Sequence, residues 1–98
     1  MTTNQTAAAN QGYNGWTNYE TWAVSLWLDT DDPSDIIERV KEDYEDDKDQ
    51  WADEIAKKLE SWVDERNPIS DNSLYSDLLN ASLSEVNWLE IAEHYLEE

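Results

Sequence analysis

The carboxylates are the residues whose type and spacing best suit them to chemistry. Acidic residues number 24 among 98, against 6 Lys plus Arg, for a formal net charge of -18. Thirteen of the 24 lie between Asp29 and Glu54, and the densest stretch is Glu42-Asp43-Tyr44-Glu45-Asp46-Asp47-Lys48-Asp49. Like charges four apart on a helix oppose its formation, so local stability does not account for the density. One function that would account for it is nucleic-acid mimicry. Carboxylates in two rows on a helix stand at spacings near those of duplex phosphates. A protein built to bind DNA would bind such a surface and release its own counterions, as it does on DNA. A calcium loop is a second reading: Asp43, Glu45, Asp47, Asp49 and Glu54 occupy the EF-hand ligand positions. Lys48 then stands where the sharp turn needs glycine, and it brings a positive charge beside the ion. No specific calcium site is expected. The third reading is a solvated surface adapted to high salt, which a sequence pI near 4.1 fits.

Other constellations carry less. His94 is the only histidine and Cys is absent. Glu90 and His94 are four apart and share a helical face, but a structural metal site takes four ligands and a catalytic site three. His94 is read as a residue of a helix near the C-terminus, where protonation would suit the helix dipole. A Ser/His/Asp triad would depend on His94 alone, and there is no nucleophile elbow or phosphate-cradling glycine loop. With 24 acids some carboxylate pair is inevitable, so paired-carboxylate hydrolysis is not singled out. No catalytic residue, metal site or cofactor is expected. Six Trp and five Tyr could form a stacking platform, but such platforms need basic residues alongside, which excludes direct nucleic-acid binding. Trp22, Trp27, Trp51, Trp62 and Trp88 are expected in the core. Tyr13 and Trp16 precede the first helix and could pack as a lid or face a partner.

The elements that must position these residues are helical. Gly12, Gly15, Pro33 and Pro68 are the only Gly and Pro, and no segment alternates as a strand would. Residues 1–12 offer almost nothing to bury and are read as a disordered tail, with 13–98 as a single helical domain. Thr17-Asn18-Tyr19-Glu20 reads as a capping box that opens a helix to about Leu28. That helix is apolar nearly all round except for the stripe Asn18, Thr21 and Ser25, which suggests the central helix of its domain. Asp32 is the expected N-cap of a second helix over about 34–45, with Pro33 in its first turn. Trp51, Ile55, Leu59, Trp62 and Val63 mark a further helix over 49–65. No Gly or Pro separates these two, so one long bent helix is an alternative. Arg66-Asn67-Pro68 stops it. Leu74, Tyr75, Leu78 and Leu79 mark a short helix, and Asn87-Trp88-Leu89-Glu90 is a second capping box that opens the last. The expectation is an all-α bundle of four or five helices around the aromatic-rich segment 13–28.

Gly15-Trp16-Thr17-Asn18-Tyr19-Glu20-Thr21-Trp22, followed by Val24 and Leu26-Trp27-Leu28, resembles a family of small uncharacterised proteins of phages, plasmids and haloarchaeal or bacterial genomes. Val86-Asn87-Trp88 with Glu90-Ile91-Ala92-Glu93-His94 looks like the C-terminus of that family. The resemblance covers about residues 13–29 and 86–96. It implies a mobile-element origin and a common helical fold, and it supplies no catalytic or binding residues.

The functional expectation is a non-catalytic inhibitor that mimics nucleic acid. It would block a basic DNA- or RNA-binding host defence protein, of a restriction or CRISPR system, through Glu42, Asp43, Glu45, Asp46, Asp47, Asp49, Asp53 and Glu54. The alternative is an acidic structural or protein-interaction module that uses segment 13–27, for example in a homodimer, with no nucleic-acid-related target. No apolar run reaches the roughly 18–20 residues of a membrane span, and Met1 to Asn10 lacks the charge and apolar run of a secretory signal. A cytoplasmic protein is expected.

Overall fold

A computed structural model describes residues 13–97, so the expected tail at 1–12 lies outside the described residues. Five helices follow in order: α1 (Tyr19–Asp31), α2 (Ser34–Asp43), α3 (Trp51–Glu65), α4 (Leu74–Ser84) and α5 (Trp88–Leu96). Among the described residues there is no strand, only an isolated bridge between Tyr13 and Trp16. The fold is a small all-α bundle.

The helix ends follow local chemistry, with two shifts from expectation. The cap of α1 is Asn18, not Thr17; the Asn18 side chain accepts the Thr21 amide at 2.9 Å. The Thr17 amide is engaged elsewhere, as described below. Asp32 closes α1 in the left-handed conformation (φ 55°) and is not the formal N-cap of α2. Its carboxylate still accepts the Ser34 amide at 3.3 Å, while the Pro33 carbonyl receives Ile36 and Ile37. The Asp-Pro pair thus ends one helix and starts the next. Ser73 and Ser76 cap α4 reciprocally. Ser76 does there what a Glu does in the familiar capping box. Asn67 accepts the Ile69 amide at 2.8 Å and turns the chain at Pro68.

The core is Leu28, Ile37, Val40, Ile55, Ala56, Leu59, Val86, Ile91 and Ala92. Helix α3 lies at its centre and packs against both α2 and α5, whereas α1 meets the bundle chiefly through α5. This corrects the expected central position of segment 13–28. The buried residues of α1 are Thr21, Ser25 and Leu28, so the polar stripe faces inward and much of the apolar surface faces out. Trp27 is 70% exposed, and Leu26 and Tyr19 about half exposed. Burying hydroxyls is tolerable only when they are hydrogen-bonded. Ser25 donates to the Trp22 carbonyl at 2.7 Å, and Thr21 is satisfied by the C-terminal segment. Of the five tryptophans expected in the core, Trp51, Trp62 and Trp88 pack partly buried against it. Trp22 is half-buried and lies against Tyr13 and Tyr19, and Trp27 is outside. No helix among the described residues is long and apolar enough to cross a membrane.

Candidate functional site

The expected contact acids do not lie on one helix. Helix α2 stops at Asp43, Tyr44 to Asp47 form a turn, Lys48–Gln50 make a single 3-10 turn, and α3 starts at Trp51. The long bent helix is therefore not formed. The reason is visible at Trp51, whose indole N–H donates to the Tyr44 carbonyl at 3.0 Å. That carbonyl, at the end of α2, also accepts the Asp47 amide at 2.9 Å, so the indole is its second donor. Lys41 and Lys48 lie 5.4 and 5.7 Å from the centre of the Trp51 ring, within reach of a cation–π attraction. The hairpin end is thus closed around one indole.

Glu42, Asp43, Glu45, Asp46, Asp47, Asp49 and Asp53 are all exposed around this turn. Among the described residues none of these seven is paired with Lys or Arg. Glu54 is different: its carboxylate pairs with Lys57 at 3.3 Å and is largely covered. It also acts on Tyr44, whose phenol is held above its ordinary pKa, first by the Glu54 charge and then by burial. Glu54 is therefore an internal partner more than a contact residue. Asp53 and Glu54 also fall in the first turn of α3, where the helix dipole favours negative charge. Glu42 and Asp43 sit at the opposite, disfavoured end of α2. Local stability thus accounts for two of the eight positions and runs against two. The EF-hand-like spacing is spread over a helix end, a turn and a 3-10 turn, and among the described residues no three His, Asp or Glu gather as a metal site.

The second constellation lies apart from the expected contact acids. The two segments that carry the resemblance, near residues 13–29 and 86–96, close on one another. The Thr17 amide donates to both carboxylate oxygens of Glu90, at 3.2 and 3.3 Å. The Asn18 amide group donates to the Glu85 carbonyl at 2.8 Å. The Thr21 hydroxyl, fully buried, donates to Asn18 Oδ1 at 2.6 Å and accepts the Asn87 amide at 2.9 Å. Asn87 in turn caps α5 by accepting the Glu90 amide. Tyr95 donates its hydroxyl to Asp29, and the Trp16 and His94 rings lie 5.1 Å apart. Both motif cappings are therefore half local. Asn18 and Asn87 cap their own helices, while Thr17 and Glu90, the outer members of the two boxes, bond to each other across the fold. Glu90 is engaged in this clasp, which separates it from the metal-ligand role considered with His94.

A tight turn feeds the clasp. Asn14 and Gly15 both have positive φ, 52° and 93°, the pattern that Asn-Gly pairs accept at little cost. The turn returns Tyr13 onto Tyr19 and Trp22 and places Trp16 over α5. Tyr13 is exposed and Trp16 half-buried.

A family model described as Family of unknown function (DUF7249) matches residues 9–97. The chain belongs to this family. The DUF7249 match runs through both sides of the clasp and the acidic turn between them. No curated protein and no solved structure matches the chain.

The clasp yields a stability prediction. Thr21→Val keeps the side-chain shape but leaves the Asn87 amide without its acceptor in a partly buried setting. It should cost about 2 kcal/mol and lower the melting temperature by about 8–16 °C. Thr21→Ser, which restores the hydroxyl, should recover most of the loss. Thermal melts followed by circular dichroism decide this, and equal melting of the Val and native chains would remove the clasp as a stabilising feature.

Proposed function

We propose that the chain is a non-catalytic, stoichiometric inhibitor that occupies the basic nucleic-acid-binding surface of another protein. The observation that carries this reading is the group of seven exposed acids around the α2–α3 turn, none paired with Lys or Arg among the described residues. Their carboxylates project from a helix end, a turn and a 3-10 turn. The arrangement therefore supports capture by charge more than imitation of a regular phosphate ladder. A field of this sign steers cationic surfaces and raises the association rate at low salt. The resemblance to proteins of mobile elements makes a host defence protein, of a restriction or CRISPR system, the target class of this proposal.

The exposed aromatic face of α1 favours a second reading: a protein-interaction module whose acidity serves solvation in high salt. A pull-down from host lysate at about 0.1 M salt, where the screening length is about 10 Å, separates the two. Recovery of a nucleic-acid-binding protein that duplex DNA displaces is the expected result. Recovery of the chain alone, or of a partner that DNA does not displace, would favour the second reading.

A further inference from the structure

The surface farthest in character from the acidic turn is an apolar groove of about 300 Å3. Val24, Trp27 and Leu28 of α1, Trp62 and Val63 of α3, and Leu79 and Leu83 of α4 line it. Two of its helices carry further uncovered apolar side chains. Leu26 and Trp27 on α1, and Leu74, Tyr75 and Leu78 on α4, are all more than half exposed. Ser76 is the only buried residue of α4. Asp31 and Arg66 also line the groove, and the Arg66 guanidinium carbon lies 4.0 Å from the centre of the Trp62 ring. In a chain that spends so much of its surface on carboxylates, an uncovered strip of this kind marks a contact site.

We infer that this groove receives a cationic amphipathic helix of a partner protein, its apolar side chains seated against Trp27 and its Lys or Arg side chains directed to Asp31 and to Asp32 and Asp35 in the adjoining hollow. Charge complementarity selects the occupant. A second copy would bring another net charge of -18 against the same face, and the repulsion opposes pairing. A helix with lysines or arginines on its polar side gains from the field that a second copy suffers from. The form of the occupant follows from the walls. The groove lies between helices, and among the described residues there is no strand whose edge could take an extended peptide. An amphipathic helix inserts anchors at i, i+3, i+4 and i+7 into such a groove. The groove is open to solvent, so it would not enclose most of a small ligand's surface as a ligand pocket does. This surface is distinct from the α2–α3 turn and does not depend on the inhibitor reading.

The test titrates the whole chain with a Leu/Lys peptide whose leucines recur at i, i+3, i+4 and i+7. Tryptophan fluorescence and calorimetry follow the binding. A scrambled peptide of equal composition and a Leu/Glu peptide of the same pattern are the comparisons. The amphipathic Leu/Lys peptide should bind at least about ten-fold tighter than either. Trp27→Ala should lose about thirty-fold with the circular dichroism spectrum unchanged, and Trp27→Phe should restore binding to within a few-fold. Equal binding of the scrambled peptide, or no loss in Trp27→Ala, would overturn the inference. So would a dimer in sedimentation that Trp27→Ala disperses, because the face would then belong to a second copy. Reversing acids of the α2–α3 turn should leave the preference for the amphipathic over the scrambled peptide in place. Loss of DNA-competitive capture in that variant thus reports on the turn, and loss of the preference in Trp27→Ala reports on the groove.

Discussion

Leu59→Ala should lower the stability of this chain by about 3 kcal/mol or more, a fall in melting temperature of about 12–24 °C for a domain of this size. Trp27→Ala, which removes a far larger side chain, should change stability by no more than about 0.5 kcal/mol. The contrast follows from position. Leu59 is fully buried on α3, the helix that packs against both α2 and α5. Truncation leaves a cavity that neighbours on two sides cannot fill by moving, so both transfer free energy and packing contacts are lost. Trp27 is 70% exposed, and its indole gives up little when removed. If α1 were the central helix, the order would invert. Denaturant titration of the two variants measures both, and a larger loss in Trp27→Ala would contradict the packing described above.

Reversing Glu42, Asp43, Asp46 and Asp49 to Lys should abolish capture of the proposed basic target, a loss of about a hundred-fold or more in affinity. Each reversal adds two units of charge, so the net charge moves from -18 to -10. The remaining field is still negative, so the experiment tests the turn and not overall acidity alone. The four positions are exposed and outside the core. Glu42 and Asp43 lie at the C-terminal end of α2, where a cation suits the helix dipole better than an anion. Stability should therefore hold or rise slightly while affinity collapses. That opposition separates a functional surface from a structural one, because damage to the fold would lower both. Competition binding against duplex DNA, with melting temperature measured in parallel, is the readout. Inhibition that survives the four reversals would remove the turn as the contact and leave the aromatic surfaces as the remaining candidates.

The acidic cluster was legible as a cluster and illegible as a geometry. Residues 44–50 contain neither Gly nor Pro, so nothing local forbids a helix through them. The break depends on α2 and α3 packing on each other and on the Trp51 indole reaching back to the Tyr44 carbonyl. Likewise, density of charge singled out Glu54 with its neighbours, but only packing put it beside Tyr44; Lys57, three residues on along α3, is its neighbour by helix geometry alone. The clasp had a signal that could have found it. Asn18, Thr21 and Ser25 form a polar stripe on a largely apolar helix, and a second cap with an Asn, Asn87, lies near the C-terminus. A polar stripe on such a helix either faces water or is satisfied within the fold, and no local rule chooses between these.

Sequence by itself determined the all-α class, a bundle of four or five helices, the stop at Pro68 and the cap at Asn87. These depend on interactions within a few residues: hydrophobic periodicity, side-chain capping and the backbone limits of proline. Tertiary structure alone decided which helix is central, which face of α1 is buried and where the acidic stretch turns. The α1 sequence is apolar on both sides of its polar stripe, so burial in either direction is open to it as an isolated helix. The choice is made by Asn87, Glu85 and Glu90, more than sixty residues away. They satisfy the polar groups of the Thr17–Thr21 segment, draw that side inward and leave Trp27 outside.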